Sequence, residues 1–161
     1  MKYSLAIIII TFPLLVWPAY NNESAIPPEE DIQENLNENV ENMNDIITIT
    51  IGNNHFTATL ESNAAATEFK KMLPLTIKMN DLNSNEKFFD LPSSLPTNAL
   101  NPRTINSGDL MLWGSNTLVL FYKTFNTTYS YTRLGKIENP SGLSKALGSG
   151  NVTVTFELLS K

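Results

Sequence analysis

The sequence predicts a mainly β domain: a small closed barrel of short strands with two short helices covering its ends, set behind an N-terminal leader and an acidic tether. Three observations predict it. From Ile46 onward, short runs alternate branched or aromatic residues with polar ones and are punctuated by Gly, Asn and Pro, the pattern of strands and tight turns. Two stretches in that region, after Asn63 and after Asn139, carry helix start signals. The acidity is also confined: Asn21 to Asp45 holds eight Asp or Glu and no Lys or Arg, whereas ten Lys or Arg stand against eight acids from Ile46 to the end.

With 161 residues the chain has room for one domain of ordinary size, and three segments are expected: 1–20, 21–45 and 46–157. Lys2 followed by the apolar run Leu5 to Trp17 has the charge order and length of a signal-peptide core. The run is shorter than the ~20 residues that span a bilayer comfortably. A cut after Ala19 would put Trp17 where a small residue is wanted, so a signal peptide and a retained anchor both stay open. Either one implies export: periplasmic, secreted, or anchored on the extracytoplasmic side, with membrane contact only through this segment. Asn21 to Asp45 is too poor in apolar residues to order itself and reads as a solvated spacer. Pro27-Pro28 ahead of Glu29, Glu30 and Asp31, with Ile32, Leu36, Val40 and Met43 at helical spacing, gives it a weak helical pattern that five Asn between Asn35 and Asn44 oppose.

In the domain, Ile46–Ile51 and His55–Leu60 flank Gly52-Asn53-Asn54, a hairpin whose turn residues accept positive φ. Asn63 is placed to cap a helix from Ala64 to Leu73, with Ala65, Phe69 and Met72 on one face and Pro74 closing it. Leu75–Asn80 continues as a strand, and Asp81 to Gly108 reads as loop-rich, with Pro92, Pro96 and Pro102. Asp109–Trp113 and Thr117–Lys123 form a second hairpin about Gly114-Ser115-Asn116, and Tyr129–Lys136 adds a strand. Asn139-Pro140 opens the second helix, with Leu143, Ala146 and Leu147 inward and Gly148 ending it; Asn151–Glu157 closes the domain.

Taken in order, ITIGNNHFTATL, KMLPLTIKMNDLNSNEKFFDLP, LPTNALNPRTINSGDLMLWGSNTLVLFYKTFNTTYSYTRLGKI and NPSGLSKALGSGNVTVTFE resemble the bacterial cyclophilin-like domain family, collinearly over about Ile46 to Glu157. The resemblance implies a cyclophilin-type barrel with two helices. It implies no activity, because a shared fold does not transfer a function. The prolyl isomerases of that fold aim an Arg, introduced by a Phe-His-Arg stretch, at the prolyl nitrogen; here the only His is His55, and no such tripeptide occurs.

The candidate ligand contacts are Arg133, Tyr129, Tyr131, Trp113 and Phe88. Tyr129, Tyr131 and Arg133 alternate with Ser130 and Thr132, so a strand would aim two rings and a guanidinium to one side, a platform for a carbonyl, a carboxylate or a ring. Of the adjacent Phe88 and Phe89, a strand would turn one to the core and leave the other for a rim, and Trp113 ends a strand. Asp109, just after Gly108, is placed to orient Arg103 or Arg133. No paired carboxylates suggest acid–base catalysis, so no catalytic residue is assigned. His55 stands alone, and the absence of cysteine removes thiolate ligands and thiol nucleophiles; no metal and no cofactor are expected. The near-neutral domain lacks a nucleic-acid footprint. The expected function is a binding module for a peptide or small molecule; the alternatives are a divergent prolyl isomerase of the cell envelope and a structural domain on a tether.

Overall fold

A computed structural model describes residues 45–159. The expected leader over 1–20, and the tether over 21–45 apart from Asp45, lie outside the described residues. The chain runs β1 (Ile46–Ile51), β2 (Asn54–Leu60), α1 (Ala64–Lys70), β3 (Leu75–Leu82), β4 (Glu86–Asp90), β5 (Thr104–Ile105), β6 (Asp109–Trp113), β7 (Thr117–Phe121), β8 (Phe125–Asn126), β9 (Thr132–Ile137), α2 (Leu143–Leu147) and β10 (Val152–Leu158).

Eight of these strands close a barrel in the order β1-β10-β3-β4-β7-β6-β9-β2, every neighbouring pair antiparallel, while β5 and β8 pair separately. Closure leaves no free edge among the eight. The period of two along each strand sends Ile47, Ile49, Ile51, Phe56, Ala58, Leu60, Ile77, Met79, Leu110, Leu112, Leu118, Leu120, Val154 and Phe156 into one buried core. At the seam between β2 and β9, Gly135 is required by contact: a Cβ there would stand 2.6 Å from the carbonyl oxygen of Thr59.

The helices sit at opposite ends. α1 follows Leu60, at the end of β2 that lies beside Ile46, and α2 leads into Val152, at the end of β10 nearest Ile51. The Asn63 side chain accepts from the amide of Ala66 at 2.9 Å and so caps α1, whose Phe69 meets Phe156 edge to face at 5.8 Å between ring centres. α2 buries Leu143 and Leu147.

Two expectations need correction. The stretch from Asp81 to Gly108 is not loop throughout, because Glu86–Asp90 is a full barrel strand. Its partner β3 reaches Leu82, and the three residues Asn83 to Asn85 connect them. Asn83 and Ser84, with φ of 53° each, form a tight turn in which the Asn85 amide donates to the Leu82 carbonyl at 3.2 Å, and both positive angles match the hairpin twist. The strand expected over Tyr129–Lys136 starts only at Thr132. Opposite it, the register shifts between Leu110 and Met111, which pair with Gly135 and Arg133, so Leu134 is an extra residue. This bulge turns Leu134 into the core and interrupts the alternation.

The end of β4 shows how a buried charge is accommodated. Lys87 is fully buried, and its Nζ donates to Asp81 Oδ1 at 2.6 Å and to the carbonyls of Gly148 and Gly150 at 2.9 and 2.6 Å. It also lies 5.2 Å from the centre of the Tyr122 ring, whose hydroxyl donates to Asp81 Oδ1 at 2.7 Å. The cation therefore ties β3, β4 and the segment after α2 together. The Lys87 ammonium, hydrogen-bonded to Asp81, holds the Asp81 carboxyl below its ordinary range, while burial and that same carboxylate push the Tyr122 phenol up to about 12.

Candidate functional site

Where β4, β7 and β6 lie side by side, pairing sets their outward side chains in rows. Asp90, Thr117 and Trp113 form one row, Phe88, Val119 and Met111 the next, and Glu86 with Phe121 a third. These residues alternate with the inward Lys87, Phe89, Leu118 and Leu120, so the wall that closes the core also offers an outer face.

Part of that face is sealed. Ile105, Met111, Val119, Phe121 and Tyr131 form a second buried cluster, with Phe88 and Phe125 packed against it. The Phe121 ring centre lies 5.8 Å from that of Phe125 and 5.5 Å from that of Tyr131. The segment from Phe125 to Tyr131 crosses the face as a roof. It is pinned by β5–β8 pairing, by the bridge between Leu100 and Tyr131, and by the Thr127 amide donating to the Arg103 carbonyl at 2.8 Å.

Between roof and sheet, a cavity of about 620 Å³ stays open. Its floor is Glu86, Phe88, Asp90, Thr117 and Val119, with Trp113 at one end. The β3–β4 turn supplies Leu82, Asn83 and Asn85; the other wall is Phe125 to Tyr129, with Tyr131 behind. Trp113 and Tyr129 are 53% and 65% exposed, large rings held at the rim without cover.

The electrostatics are one-sided. Glu86 and Asp90 are the charged residues of the lining, and none of the described Lys, Arg or His residues belongs to it. Burial pushes the Glu86 carboxyl up to about 6, and among the described residues it has no ion-pair partner. Asp90 is exposed and accepts from the Thr117 hydroxyl at 2.7 Å. The side-chain oxygen of Asn85 is buried and without a donor. Burial, then the nearby Glu86, raises the Tyr131 phenol. Such a site can enclose an apolar body and offer acceptors to it, but it offers no cationic donor.

Of the residues singled out by sequence, Phe88, Trp113, Tyr129 and Tyr131 are brought together in this cavity. Arg133 is not. It lines a smaller cavity of about 170 Å³ with Glu61, Asn63, Asn98, Leu100 and Pro102, on the other side of Tyr131. Asp109 orients neither arginine: it is fully buried, and its Oδ2 accepts from the amide of Asn106 at 2.8 Å, shaping the turn into β6. Arg103 has a φ of 62° and lines neither cavity. His55 is exposed, its Nδ1 3.0 Å from the Thr50 hydroxyl. Among the described residues, no three His, Asp or Glu side chains converge as metal ligands.

Sequence reasoning missed Glu86, Asp90 and Phe125. The signal for the first two was Asn83-Ser84: once read as a hairpin turn, it makes Glu86, Phe88 and Asp90 one face of a strand. Phe125 lies on a two-residue strand with no periodicity to find it by.

A sequence model described as the cyclophilin-like family matches residues 49–157. No curated protein matches the chain. Among solved structures, a hypothetical protein from Archaeoglobus fulgidus, determined in solution, is similar at a TM-score of 0.52 and 15% sequence identity, covering 73% of this chain and 97% of its own. At that identity the likeness concerns the fold alone.

Proposed function

This chain belongs to the cyclophilin-like family, and from that premise we propose that it is an exported binding module whose outer-face cavity takes a peptide or small molecule without catalysing a reaction on it. One observation carries the reading: a cavity of about 620 Å³ walled by Phe88, Phe125, Trp113, Tyr129 and Tyr131, with both arginines outside its lining. The volume falls within the ~300–1,000 Å³ usual for ligand pockets, and rings left exposed at a rim are the kind of apolar patch that partners cover.

Prolyl isomerisation sets a stricter requirement. The barrier is about 18–20 kcal/mol, and the isomerases of this fold lower it with a guanidinium aimed at the imide nitrogen. The lining of the groove includes carboxylates and neither arginine, which supports binding over catalysis. A protease-coupled assay on proline peptides should give the background rate with the purified chain. Rates well above background that vanish in Arg133→Ala would overturn the reading in favour of an isomerase. Export rests on Lys2 and the apolar run Leu5 to Trp17; recovery of the expressed chain from the cytoplasmic fraction would contradict it.

A further inference from the structure

Resting on the outer-face cavity as the binding site, we infer that its ligand is an organic cation: an ammonium group on an apolar body, with the charge held at Glu86 and the body lying over Phe88 toward Trp113. The sign of the site is the first reason. Its charged lining residues are both acids, and Glu86 is half-buried without an ion-pair partner among the described residues. An anion entering beside it would meet like charge in a partly desolvated cleft, and a neutral molecule would leave the carboxylate uncompensated.

The second reason is what surrounds that carboxylate. Ring faces attract cations through their quadrupole, so the aromatic walls suit a charged head as well as an apolar body. Burial has pushed the Glu86 carboxyl up to about 6, a cost the fold does not offset internally and a bound cation would.

The geometry selects an organic cation over a metal ion. Glu86 and Asp90 stand four residues apart on one extended strand, roughly 13 Å between Cα atoms, which is too far to chelate one ion. Phe88 and Val119 lie between them, so the middle of the cavity is apolar, with Asp90 and Thr117 beside Trp113 at the far end.

Three molecules with one phenylbutyl body test this: phenylbutylamine, phenylbutanol and phenylbutyrate, titrated calorimetrically into the full chain at about pH 7.5, where Glu86 is mostly ionised. The amine should bind at least about tenfold more tightly than the alcohol, and the carboxylate most weakly. In Glu86→Gln the amine-to-alcohol ratio should fall to near one. Thr117→Trp, which fills the groove beside Trp113, should weaken both ligands. A ratio near one in the unmodified chain overturns the cation assignment, yet leaves the cavity as a binding site if Thr117→Trp still removes both. A ratio that survives Glu86→Gln removes Glu86 as its origin. No binding by any of the three overturns the assignment and the cavity reading together.

Discussion

Glu86 and Lys87 are neighbours in sequence on β4 and face opposite sides of the barrel wall, and the molecule treats their charges in opposite ways. Lys87, inside, has a carboxylate, two carbonyls and a ring face around it. Glu86, outside, is half-buried with no ion-pair partner among the described residues. The same division holds for the apolar residues. Leu118 and Leu120 are fully buried in the core, whereas Phe88 borders open space and Trp113 stands exposed. One wall thus has a face on which every buried group is compensated and a face on which apolar and charged groups are left uncompensated. Stability comes from the first and from the sealed cluster of Ile105, Met111, Val119, Phe121 and Tyr131 on the second. The open part of the second is where a ligand would add what the fold omits.

Breaking the inner face should give the largest effect. Lys87→Met removes the cation beside the Asp81 carboxylate, which keeps only the Tyr122 hydroxyl, and leaves two carbonyls without their lysine donor. Removing one partner of a buried ion pair costs about 3–5 kcal/mol. Urea unfolding should report that loss, and adding Asp81→Asn should restore part of it. A loss below about 1 kcal/mol would mean that the inner face is not the compensated one.

The outer face should respond with the opposite sign and a smaller size. A carboxyl raised from 4.5 to about 6 in the folded state binds its proton more tightly there than in the unfolded chain. Its favourable contribution is complete below pH 4.5 and is lost as pH rises through about 6. The ionised form at neutral pH therefore costs roughly 1 kcal/mol, once the full shift is reduced for the solvent screening of a half-exposed group. Glu86→Gln should stabilise the protein by about that amount near pH 7.5, with the gain disappearing toward pH 4.5. Asp81 runs the other way: its carboxyl is lowered, so its contribution is present above its ordinary 3.8 and is lost as pH falls through the folded value. Destabilisation by Glu86→Gln at neutral pH would erase the contrast between the two faces.

The parts of this architecture legible in the sequence are those where one face of a strand is apolar and the other polar. The hairpin of β1 and β2 qualifies, as does α1 with its Asn63 cap. β4 does not, because its inward residue at the barrel mouth is a lysine and its outward one a phenylalanine, an inversion that only tertiary partners explain. β9 breaks the alternation for a similar reason: the bulge at Leu134 is created by pairing with β6, which local sequence does not encode. Four of the five candidates line the larger cavity: Tyr129 and Tyr131 stand out by their alternation with Ser130 and Thr132, Phe88 as one of two adjacent rings, and Trp113 as a strand end. Arg133 could not be assigned to a side, because its cavity is separated from the larger one by Tyr131, and that separation depends on where the Leu100 bridge brings the chain.

In β7, Leu118, Val119 and Leu120 point in, out and in. Phenylbutanol titrated into the full chain with isotope-labelled Leu and Val methyl groups separates the two faces residue by residue. The methyl signals of Val119 and Leu82, together with the indole N–H of Trp113, should shift along one saturable curve, while those of Leu118 and Leu120 stay in place. Shifts at Leu118 and Leu120 that match or exceed the one at Val119 would place the ligand in the core and contradict the account, and so would a Val119 signal unmoved at saturation.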